Sequence, residues 1–533
     1  MSRSLHLWLP IIASCFTATS VADWTVTYLD RNEGTYILAA NGLHHAGQDN
    51  PTPGVFHAAL WRDASNSYVD LHPTGASRSG INGMDGFQQV GAAAFLGQAH
   101  AGLWTGTAAS FVDLHPPGAV SSRALGVHNG TQVGSSNDEV GERACLWNGT
   151  PESWVDLHRF GTGSSVAHCV EGTTQAGYAT ILVPNWGLKK HASFWSGTAN
   201  SWVDIHPSDL PYSNSWIWSL DGGVASGAVE VNGAAHASIW TGNPAQRRDL
   251  HPDLPGFVTV DESWIVDSAG GNQAGMVVAG SILRAGYWSG TRESYTNLHD
   301  MLPSQYAAGG SDVYAIATDG DNDYVYGRGY NMVTLRADHI KWTRLRPGSF
   351  RLDLSRTSVA GDTSVRGTLV LGEPNTENTL FTVYDSSSLV SSPATVTVPA
   401  GATSKAFRIR VKAVTSPLSA TVFVRHGTRV RSASLVLQAL IPSAISLSSY
   451  RVAGGQSIVG RLFLNGVAGP GGRVVSLLEN SAYAEVARTV TVPAGASTTT
   501  FEISTRRVPT IQSVSVTARV SAGESARSFL LVP

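Results

Sequence analysis

A tryptophan-anchored repeat occupies the first two-thirds of this 533-residue chain. Five-residue strings such as HAALW, HAGLW, RACLW and HASFW recur along it. The seven copies, the last of which is the divergent DHIKW, end at Trp61, Trp104, Trp147, Trp195, Trp240, Trp288 and Trp342. Successive tryptophans are 43, 43, 48, 45, 48 and 54 residues apart. Self-similarity of this kind predicts stacked supersecondary units rather than one irregular domain.

Each repeat supplies four short strands. A segment such as ALGVHNGTQVG, residues 124–134, precedes the tryptophan string, and its Asn-Gly centre is typical of a hairpin turn. After six of the copies comes a turn and then a string such as SWVDLH, residues 153–158. With 56 glycines and only 14% charged residues, the composition is that of a turn-rich all-β protein. Four strands in about 45 residues, repeated, are typical of a β-propeller blade.

The beginning of the chain is expected to complete the last blade. No VDLH-type string follows the seventh tryptophan, whereas DWTVTYLD, residues 23–30, precedes the first repeat as the VDLH strings precede later ones. We therefore predict a seven-bladed propeller over residues 23–346, closed by pairing of residues 24–29 with residues 337–342. Closure is expected because an isolated blade cannot bury both of its faces.

The third unit, with ALGVHNGTQVG, RACLW and WVDLH, resembles the HAF repeat of bacterial extracellular proteins. The resemblance extends over about residues 30–345, and it departs from that family where the units read DLHP in place of DLG. It implies a repeat protein outside the bacterial cytoplasm. It implies no particular activity.

From residue 349 onward the composition changes, since all 15 tryptophans lie at or before Trp342. Two related segments, TVTVPAGATSKAFRIRV and RTVTVPAGASTTTFEIS, follow with Pro399 and Pro493 at a spacing of 94 residues. Their alternating apolar residues predict two β-sandwiches, over residues 347–440 and 441–533. Both resemble the Ig-like modules found in tandem in bacterial surface proteins, without the Cys pair of antibody domains. The resemblance implies spacing, anchoring or binding.

The N-terminus predicts export. Arg3, an apolar stretch over residues 5–16 and the small residues of Ser20-Val21-Ala22 together indicate a signal peptide over residues 1–22. A lipoprotein signal is the alternative, with Cys15 of the string IASC as the lipidated residue. No later stretch holds eighteen unbroken apolar residues, so no transmembrane helix is predicted. Cys145 and Cys169 are then the remaining cysteines, either bridged or present as buried thiols.

The charge is unevenly distributed. Residues 347–533 contain 18 Lys and Arg against 9 Asp and Glu, a net charge of +9, which leaves −12 for the preceding residues. We interpret the excess as solvated sandwich faces. The alternative is a basic surface for an acidic polymer or a lipid. We expect no nucleic-acid partner.

An Asp-x-His pair recurs in the VDLH strings. It occurs as Asp70/His72, Asp113/His115, Asp156/His158, Asp204/His206 and Asp249/His251. A catalytic dyad is needed once, whereas a hydrogen bond between blades is needed in every blade. We therefore predict a structural role for these pairs, and likewise for the histidines that open the tryptophan strings, His57, His100, His191 and His236.

Candidate binding residues lie where the repeat breaks. In DGDND, the spacing of Asp319, Asp321 and Asp323 is like the start of a calcium loop, although a plain hairpin turn also favours these residues. No other cofactor is predicted. Exposed aromatic residues on a propeller rim suit a glycan or a protein ligand, and inner-strand packing is the alternative. The candidates are Trp186, Trp216, Trp218 and Trp264.

The sequence contains no GxSxG, HExxH, P-loop or strand-linked GxGxxG motif. The leading hypothesis is therefore a secreted or cell-surface, non-catalytic binding or adhesion protein. In it the propeller provides the face that binds the ligand, and the Ig-like modules form a stalk or spacer. An exported polysaccharide-active enzyme with its site in the propeller funnel is the alternative, for which Asp261, Glu262 and Asp312 are the acids to inspect. A structural surface-layer component is the second alternative.

Overall fold

The computed structural model describes residues 24–29, 34–42, 44–62, 67–241, 246–253 and 260–533. The expected signal peptide and Cys15 lie outside these residues. The chain divides into two compact units, one ending at Arg346 and one beginning at Pro347. The described residues form β-strands, turns and short 3₁₀ helices and include no α-helix, which confirms the all-β class. They include no helix long and apolar enough to cross a membrane.

The described residues of the first unit form seven four-stranded antiparallel sheets, here called sheets 1 to 7. The strands are β1 (Thr25–Leu29) of sheet 7; β2 (Tyr36–Asn41), β3 (His44–Thr52), β4 (Val55–Arg62) and β5 (Ser67–Asp70) of sheet 1; β6 (Arg78–Asp85), β7 (Gln88–Phe95), β8 (Gln98–Trp104) and β9 (Val112–Asp113) of sheet 2; β10 (Ser121–His128), β11 (Thr131–Asn137), β12 (Glu142–Trp147) and β13 (Val155–Asp156) of sheet 3; β14 (Ser165–Glu171), β15 (Thr174–Val183), β16 (Gly187–Trp195) and β17 (Val203–Asp204) of sheet 4; β18 (Ser215–Asp221), β19 (Val224–Val231), β20 (Ala234–Thr241) and β21 (Gln246–Asp249) of sheet 5; β22 (Val260–Ala269), β23 (Asn272–Ala279), β24 (Ile282–Trp288) and β25 (Thr296–Asn297) of sheet 6; and β26 (Ser311–Thr318), β27 (Asn322–Asn331) and β28 (Arg336–Leu345) of sheet 7. The 3₁₀ helices span Ala108–Ser110, Pro151–Ser153, Ala199–Ser201, Arg292–Ser294, His299–Met301 and Ser304–Tyr306.

Sheets 1 to 6 are meanders whose four strands pair in chain order. Sheet 7 has the order β1-β28-β27-β26, so its outer strand comes from the other end of the unit. β1 pairs antiparallel with β28 and sets Val26 opposite Trp342. This pairing joins residues 25–29 to residues 339–343, which overlap the two segments, 24–29 and 337–342, that the sequence predicts to pair.

The hydrophobic core lies between consecutive sheets. Leu71 of sheet 1 packs with Ile81 and Trp104 of sheet 2 in one cluster, and Trp104 Nε1 donates to the Leu71 carbonyl over 2.8 Å. Burying one tryptophan removes roughly 150–250 Å² from water, a contribution of about 4 to 6 kcal/mol. Trp61 of sheet 1 packs in the same way with Tyr326 of sheet 7. The first strand of each sheet contacts the first strand of the next, and β2 contacts β26.

The Asp-x-His pairs tie each of sheets 1 to 5 to the sheet that follows it. Asp70 Oδ1 accepts the His72 N–H over 2.8 Å, and His72 Nδ1 lies 2.7 Å from Ser79 Oγ, at the start of sheet 2. The Ser79 hydroxyl oxygen also accepts the Ala58 N–H over 2.8 Å. His57 bonds Asp70 and stacks on His72 with ring centroids 3.9 Å apart. The same histidine–serine bond recurs at His115–Ser122, His158–Ser165, His206–Ser215, His251–Ser263 and His299–Ser311.

The second unit contains two sandwiches with the same strand order. In each, a four-stranded sheet faces a five-stranded sheet: β29-β31-β35-β33 with β30-β37-β36-β32-β34, and β38-β40-β44-β42 with β39-β46-β45-β41-β43. Their bounds are β29 (Phe350–Leu354), β30 (Ser358–Ala360), β31 (Thr363–Leu371), β32 (Thr379–Asp385), β33 (Val390–Ser391), β34 (Thr395–Val398), β35 (Ser404–Val411), β36 (Leu418–His426), β37 (Arg429–Gln438), β38 (Pro442–Leu447), β39 (Arg451–Ala453), β40 (Ile458–Leu464), β41 (Arg473–Glu479), β42 (Ala484–Val486), β43 (Thr489–Val492), β44 (Thr498–Thr505), β45 (Gln512–Val520) and β46 (Gly523–Val532). One core runs from Phe350 to Leu437, and the other from Leu440 to Leu531.

Candidate functional site: a cavity ringed by strand bulges

The first strand of every sheet in the first unit carries a β-bulge at the same place. The pairing register shifts between Ile37 and Ala39, Ile81 and Gly83, Ala124 and Gly126, Ala167 and Cys169, Ile217 and Ser219, Ile265 and Asp267, and Val313 and Ala315. Each of these shifts leaves one residue without a cross-strand partner: Leu38, Asn82, Leu125, His168, Trp218, Val266 and Tyr314. Bulges re-aim a side chain away from the regular ladder, and they are frequent beside binding sites.

The repeated glycine of the second strand accompanies each bulge. A Cβ on Gly91 would lie 1.9 Å from the carbonyl oxygen of Gly80. No residue other than glycine therefore fits at this position, where β7 pairs with β6. The equivalent glycines Gly47, Gly134, Gly177, Gly227, Gly275 and Gly327 meet the same contact, at 1.8–2.0 Å. The glycine of the QVG string therefore marks the bulge in the sequence, a signal that the sequence analysis missed.

All seven bulged residues line one cavity of about 770 Å³. A volume of this size is in the range that holds small-molecule ligands. The residue before each bulge is buried and small or aliphatic in every sheet, whereas the bulged residue differs between most sheets. The repeat is thus regular where it packs and irregular where it faces the cavity, which is the pattern of a binding site built on a scaffold.

Aromatic side chains form one side of the cavity. Trp218 and Trp264 line it, and Trp216 lies edge-on to Trp218 with ring centroids 5.6 Å apart. A side cavity of about 300 Å³ is lined by His168, Tyr178, Lys190, Trp216 and Trp218. The Trp216 Nε1 hydrogen has no acceptor within the part of the chain that the structure describes. The structure thus brings together three of the four tryptophans that the sequence singles out.

The fourth candidate, Trp186, lies elsewhere. It sits at the turn between β15 and β16, where it is 57% exposed and stacks on Tyr212 with ring centroids 4.8 Å apart. It lines neither of the two cavities.

His168 is a neutral imidazole at the cavity wall. Its Nδ1 lies 2.7 Å from the carbonyl oxygen of Ile217, on the first strand of sheet 5. Burial lowers the pKa of His168 to about 4, so the ring is uncharged at neutral pH. Because the carbonyl is only an acceptor, Nδ1 carries the hydrogen and Nε2 is left as an acceptor.

Asp267 is the functional-site carboxyl that the sequence did not reveal. It accepts hydrogen bonds from Ser219 Oγ (2.9 Å), the Ser268 N–H (2.8 Å) and the Ile316 N–H (3.0 Å), and so joins sheets 5, 6 and 7. Burial raises the pKa of Asp267 to about 6, although these hydrogen bonds act in the opposite direction. It occupies the position after the bulge, where other sheets have Ala, Gly, Ser or Cys.

The other carboxylates at the cavity also bond the following sheet. Asp85 Oδ2 accepts the Asn129 N–H over 2.8 Å, and Asp221 Oδ2 accepts the Gly271 N–H over 2.9 Å. The lining includes one arginine, Arg123, which pairs with Glu142 at 2.6 Å. The cavity wall therefore contains hydrogen-bonding groups as well as aromatic rings.

The acids proposed for an enzyme lie outside this cavity. Asp261 is exposed and Glu262 is half-buried. Asp312 pairs with Arg328 at 2.9 Å and accepts the Tyr314 hydroxyl over 2.7 Å. The structure thus does not bring the three together at the funnel.

The aspartates of DGDND separate into different environments. Asp319 Oδ1 accepts the N–H groups of Asp321 and Asn322, at 2.9 and 2.7 Å, which is the pattern of an Asx turn. Asp323 is buried and accepts the Tyr287 hydroxyl over 2.8 Å. No group of three His, Cys, Asp or Glu among the described residues is placed to hold a metal ion. Calcium at this turn stays a prediction.

Cys145 is a buried free thiol and Cys169 a half-buried one, so the two are not bridged. Burial raises the pKa of both thiols, which keeps them protonated and unreactive. Cys169 follows the bulge of sheet 4 and lines the cavity.

These strands, bulges and cavity define an all-β repeat protein with a ligand-sized cavity. No protein-family model and no curated protein matches the chain, so the resemblance to the HAF repeat stays an expectation. Among solved structures, it is similar to the β-propeller domain of the Trilobed protease from Pyrococcus furiosus, at 10% identity and a TM-score of 0.39, over 60% of this chain and 96% of that one.

The chain is also similar to the D00-D0 domain of intimin, at 12% identity and a TM-score of 0.17, over 34% of this chain and 100% of that one. A third similar structure is the Yersinia pseudotuberculosis adhesin InvE, at 14% identity and a TM-score of 0.19, over 34% of this chain and 58% of that one. A β-propeller and adhesin domains are thus among its structural neighbours. At these scores, none of them assigns a function to this chain.

Proposed function

We propose that the first unit is a closed seven-bladed β-propeller and that its bulge-ringed cavity binds a glycan without transforming it. In this proposal the two sandwiches are Ig-like spacers of a secreted or cell-surface binding and adhesion protein. The observation that carries the proposal is that seven unpaired residues, one from each sheet, line a single cavity.

Contacts between sheets support the closed ring. The first strands contact each other in succession, and the first strand of sheet 1 contacts the first strand of sheet 7. Trp61 and Tyr326 pack together across this last junction, as Leu71 and Trp104 do between sheets 1 and 2. A ring of this kind brings the seven bulges to one cavity and leaves no sheet face open to water.

The chemistry of the cavity wall favours a glycan over an apolar ligand. Sugar rings present a C–H face that packs on aromatic rings, and their hydroxyl groups need donors and acceptors around the rim. Trp218 and Trp264 supply the aromatic faces, while Asn82, Arg123 and Asp85 supply polar groups in the same wall.

An exported polysaccharide-active enzyme is the second candidate, and Asp267 is the observation that favours it. A carboxyl with a pKa of about 6 is suited to donate a proton near neutral pH. Both of its oxygens are, however, already bonded to sheets 5, 6 and 7. We therefore assign it to positioning the strands and not to proton transfer.

A glycan-array screen of residues 23–533, followed by calorimetry with the best glycan, tests the binding function. We expect Trp218→Ala to weaken binding at least tenfold, because it removes an aromatic face of the cavity. Trp186→Ala is the matched control, since it removes an exposed tryptophan away from both cavities, and its affinity should equal that of the unaltered protein.

Equal affinity of Trp218→Ala and the unaltered protein, or loss of binding in both variants, would contradict the cavity as the site. Release of new reducing ends from the bound glycan, abolished by Asp267→Asn, would establish the enzyme instead. Repeating the titration with calcium and with a chelator tests whether the turn at Asp319 contributes.

A further inference from the structure

The first sandwich carries an arginine cluster on the outer face of its four-stranded sheet. Arg366 of β31 and Arg408 of β35 stand directly opposite each other in the antiparallel register, and both are exposed. Arg410 follows on the same face, two residues after Arg408, with buried Ile409 between them. Arg356 lies in the loop after β29 and is also exposed. Like charges in directly opposed positions destabilise a strand pair, so the fold gains nothing from this placement.

Carboxylates do not neutralise the cluster. Within residues 347–533, which the structure describes throughout apart from one side chain, no Asp or Glu lies within ion-pair distance of Arg356, Arg366, Arg408 or Arg410. Other arginines of the same unit do have partners, as Arg351 has in Asp353 at 3.0 Å. The four guanidinium groups are therefore free to meet an external anion.

The second sandwich shows that the fold does not require these arginines. It has the same strand order, and Val459 and Glu502 occupy the directly opposed pair that corresponds to Arg366 and Arg408. Ser504 stands where the first sandwich has Arg410. The same backbone thus accepts an uncharged residue and an acid at this pair.

A shallow groove of about 530 Å³ runs between the arginines. Its lining includes Ser355, Arg356, Thr363, Ser364, Arg366 and Arg408. A guanidinium group binds carboxylate or sulfate oxygens with two parallel hydrogen bonds, and serine and threonine hydroxyls can bond sugar hydroxyls. None of the described strands of this sheet presents an exposed large apolar side chain that could insert into a lipid layer.

We propose that this arginine groove binds an acidic polysaccharide, a chain that carries carboxylate or sulfate groups at regular intervals. A groove with hydroxyl groups favours an extended sugar chain over the flat surface of a membrane. The net charge of +9 in residues 347–533 adds long-range attraction to the same partner. The site belongs to the second unit and does not depend on the glycan proposed for the cavity.

Binding of residues 23–533 to immobilised dextran sulfate and to polygalacturonate, with neutral dextran as the blank, tests the proposal. The double variant Arg366→Val with Arg408→Glu installs the residues that the second sandwich has at this pair, so it is expected to fold. The matched control is Arg461→Val with Arg488→Glu, which changes the net charge equally on the second sandwich. Single-stranded DNA and vesicles with 30% phosphatidylglycerol (about one lipid in three) are the competing polyanions.

We expect both acidic polysaccharides to bind with an affinity that falls as salt rises, because binding releases counterions. The Arg366→Val, Arg408→Glu variant should bind at least tenfold more weakly, and the control variant within twofold of the unaltered protein. An equal loss of affinity in the two variants would mean that binding depends only on net charge, and it would overturn the proposal. Tighter binding to DNA or vesicles than to both polysaccharides, lost in the groove variant alone, would assign the groove to that partner instead.

Discussion

His72 of sheet 1 and Ser79 of sheet 2 form a hydrogen bond of 2.7 Å between His72 Nδ1 and Ser79 Oγ. The histidine stands two residues after the last strand of one sheet, and the serine lies in the first strand of the next. Five further histidine–serine pairs repeat the bond. Repetition around the unit makes it part of the packing and not a single reactive dyad.

Removing the serine hydroxyl should destabilise the junction between sheets 1 and 2. Ser79→Ala leaves the Ala58 N–H and one nitrogen of His72 without their partner in a buried place. We expect the free energy of unfolding of the first unit to fall by about 1 to 3 kcal/mol, measured by denaturant titration. Ser208→Ala, at an exposed position, should change it by less than about 0.5 kcal/mol. Equal effects of the two substitutions would contradict the role of the bond.

The histidines of these junctions should make the first unit acid-sensitive. Burial lowers the pKa of each below its ordinary 6.5, and the affected residues are His72, His115, His158, His206, His251 and His299. Below pH 6.5 the unfolded chain therefore takes up protons that the folded chain does not. The contribution of these histidines to the free energy of unfolding is therefore fully present above pH 6.5. It is lost as the pH falls toward the lowered pKa values of the folded state.

Asp267 acts in the opposite direction. Its raised pKa, about 6, stabilises the fold at low pH and loses that contribution as the pH rises through 6. Because the six junction histidines and His168 oppose Asp267 and Asp323, the two aspartates whose pKa burial raises, the unfolding temperature should fall between pH 6.5 and pH 5 in calorimetry at constant ionic strength. An unfolding temperature that is constant or rises over this interval would show that the histidines are not held neutral by the fold.

Two neighbouring glycines should respond very differently to substitution by alanine. At Gly91 the new Cβ would lie 1.9 Å from a backbone oxygen, whereas at Gly80 it would meet the Gln48 side chain at 3.2 Å. We expect Gly91→Ala to lower the unfolding temperature strongly and to disturb the bulge at Asn82. Gly80→Ala should be nearly neutral, because a side chain can move aside. Similar shifts in unfolding temperature for the two variants would mean that β6 and β7 do not approach each other as closely at Gly91 as the structure shows.

The sequence predicted the repeated strands, because the tryptophan strings and hairpin turns are local signals. It also predicted the partner of β1, since the absence of a VDLH string after Trp342 left one strand position empty. The bulges escaped prediction because a bulge is a relation between two strands, and its marker is the glycine of the second strand. In sheets 2 to 7 a serine stands two residues before the last paired residue ahead of the bulge, as Ser79 does before Ile81, and this serine is the sequence signal for the histidine bond.

The site itself was only partly foreseeable. Trp216 and Trp218 were selected because they interrupt the repeat, and they do lie together beside the cavity. Trp186 was selected for the same reason and lies away from it, because the inserted turn lengthens the hairpin of β15 and β16. Asp267 was missed because its significance comes from three donors on separate sheets, which no local pattern records.

Closure of the ring by β1 is the central claim, and a disulfide across its last junction tests it most directly. Thr27 and Lys341 are directly opposed in the pairing of β1 with β28, so their Cα atoms are at a distance that a disulfide spans. In Thr27→Cys with Lys341→Cys, oxidation should give a 27–341 cross-linked peptide in mass spectrometry and a higher unfolding temperature. The control, Thr27→Cys with Arg336→Cys, should give no cross-link, because Arg336 lies five residues before Lys341 in β28. A folded protein in which the 27–341 link does not form would contradict the closed ring.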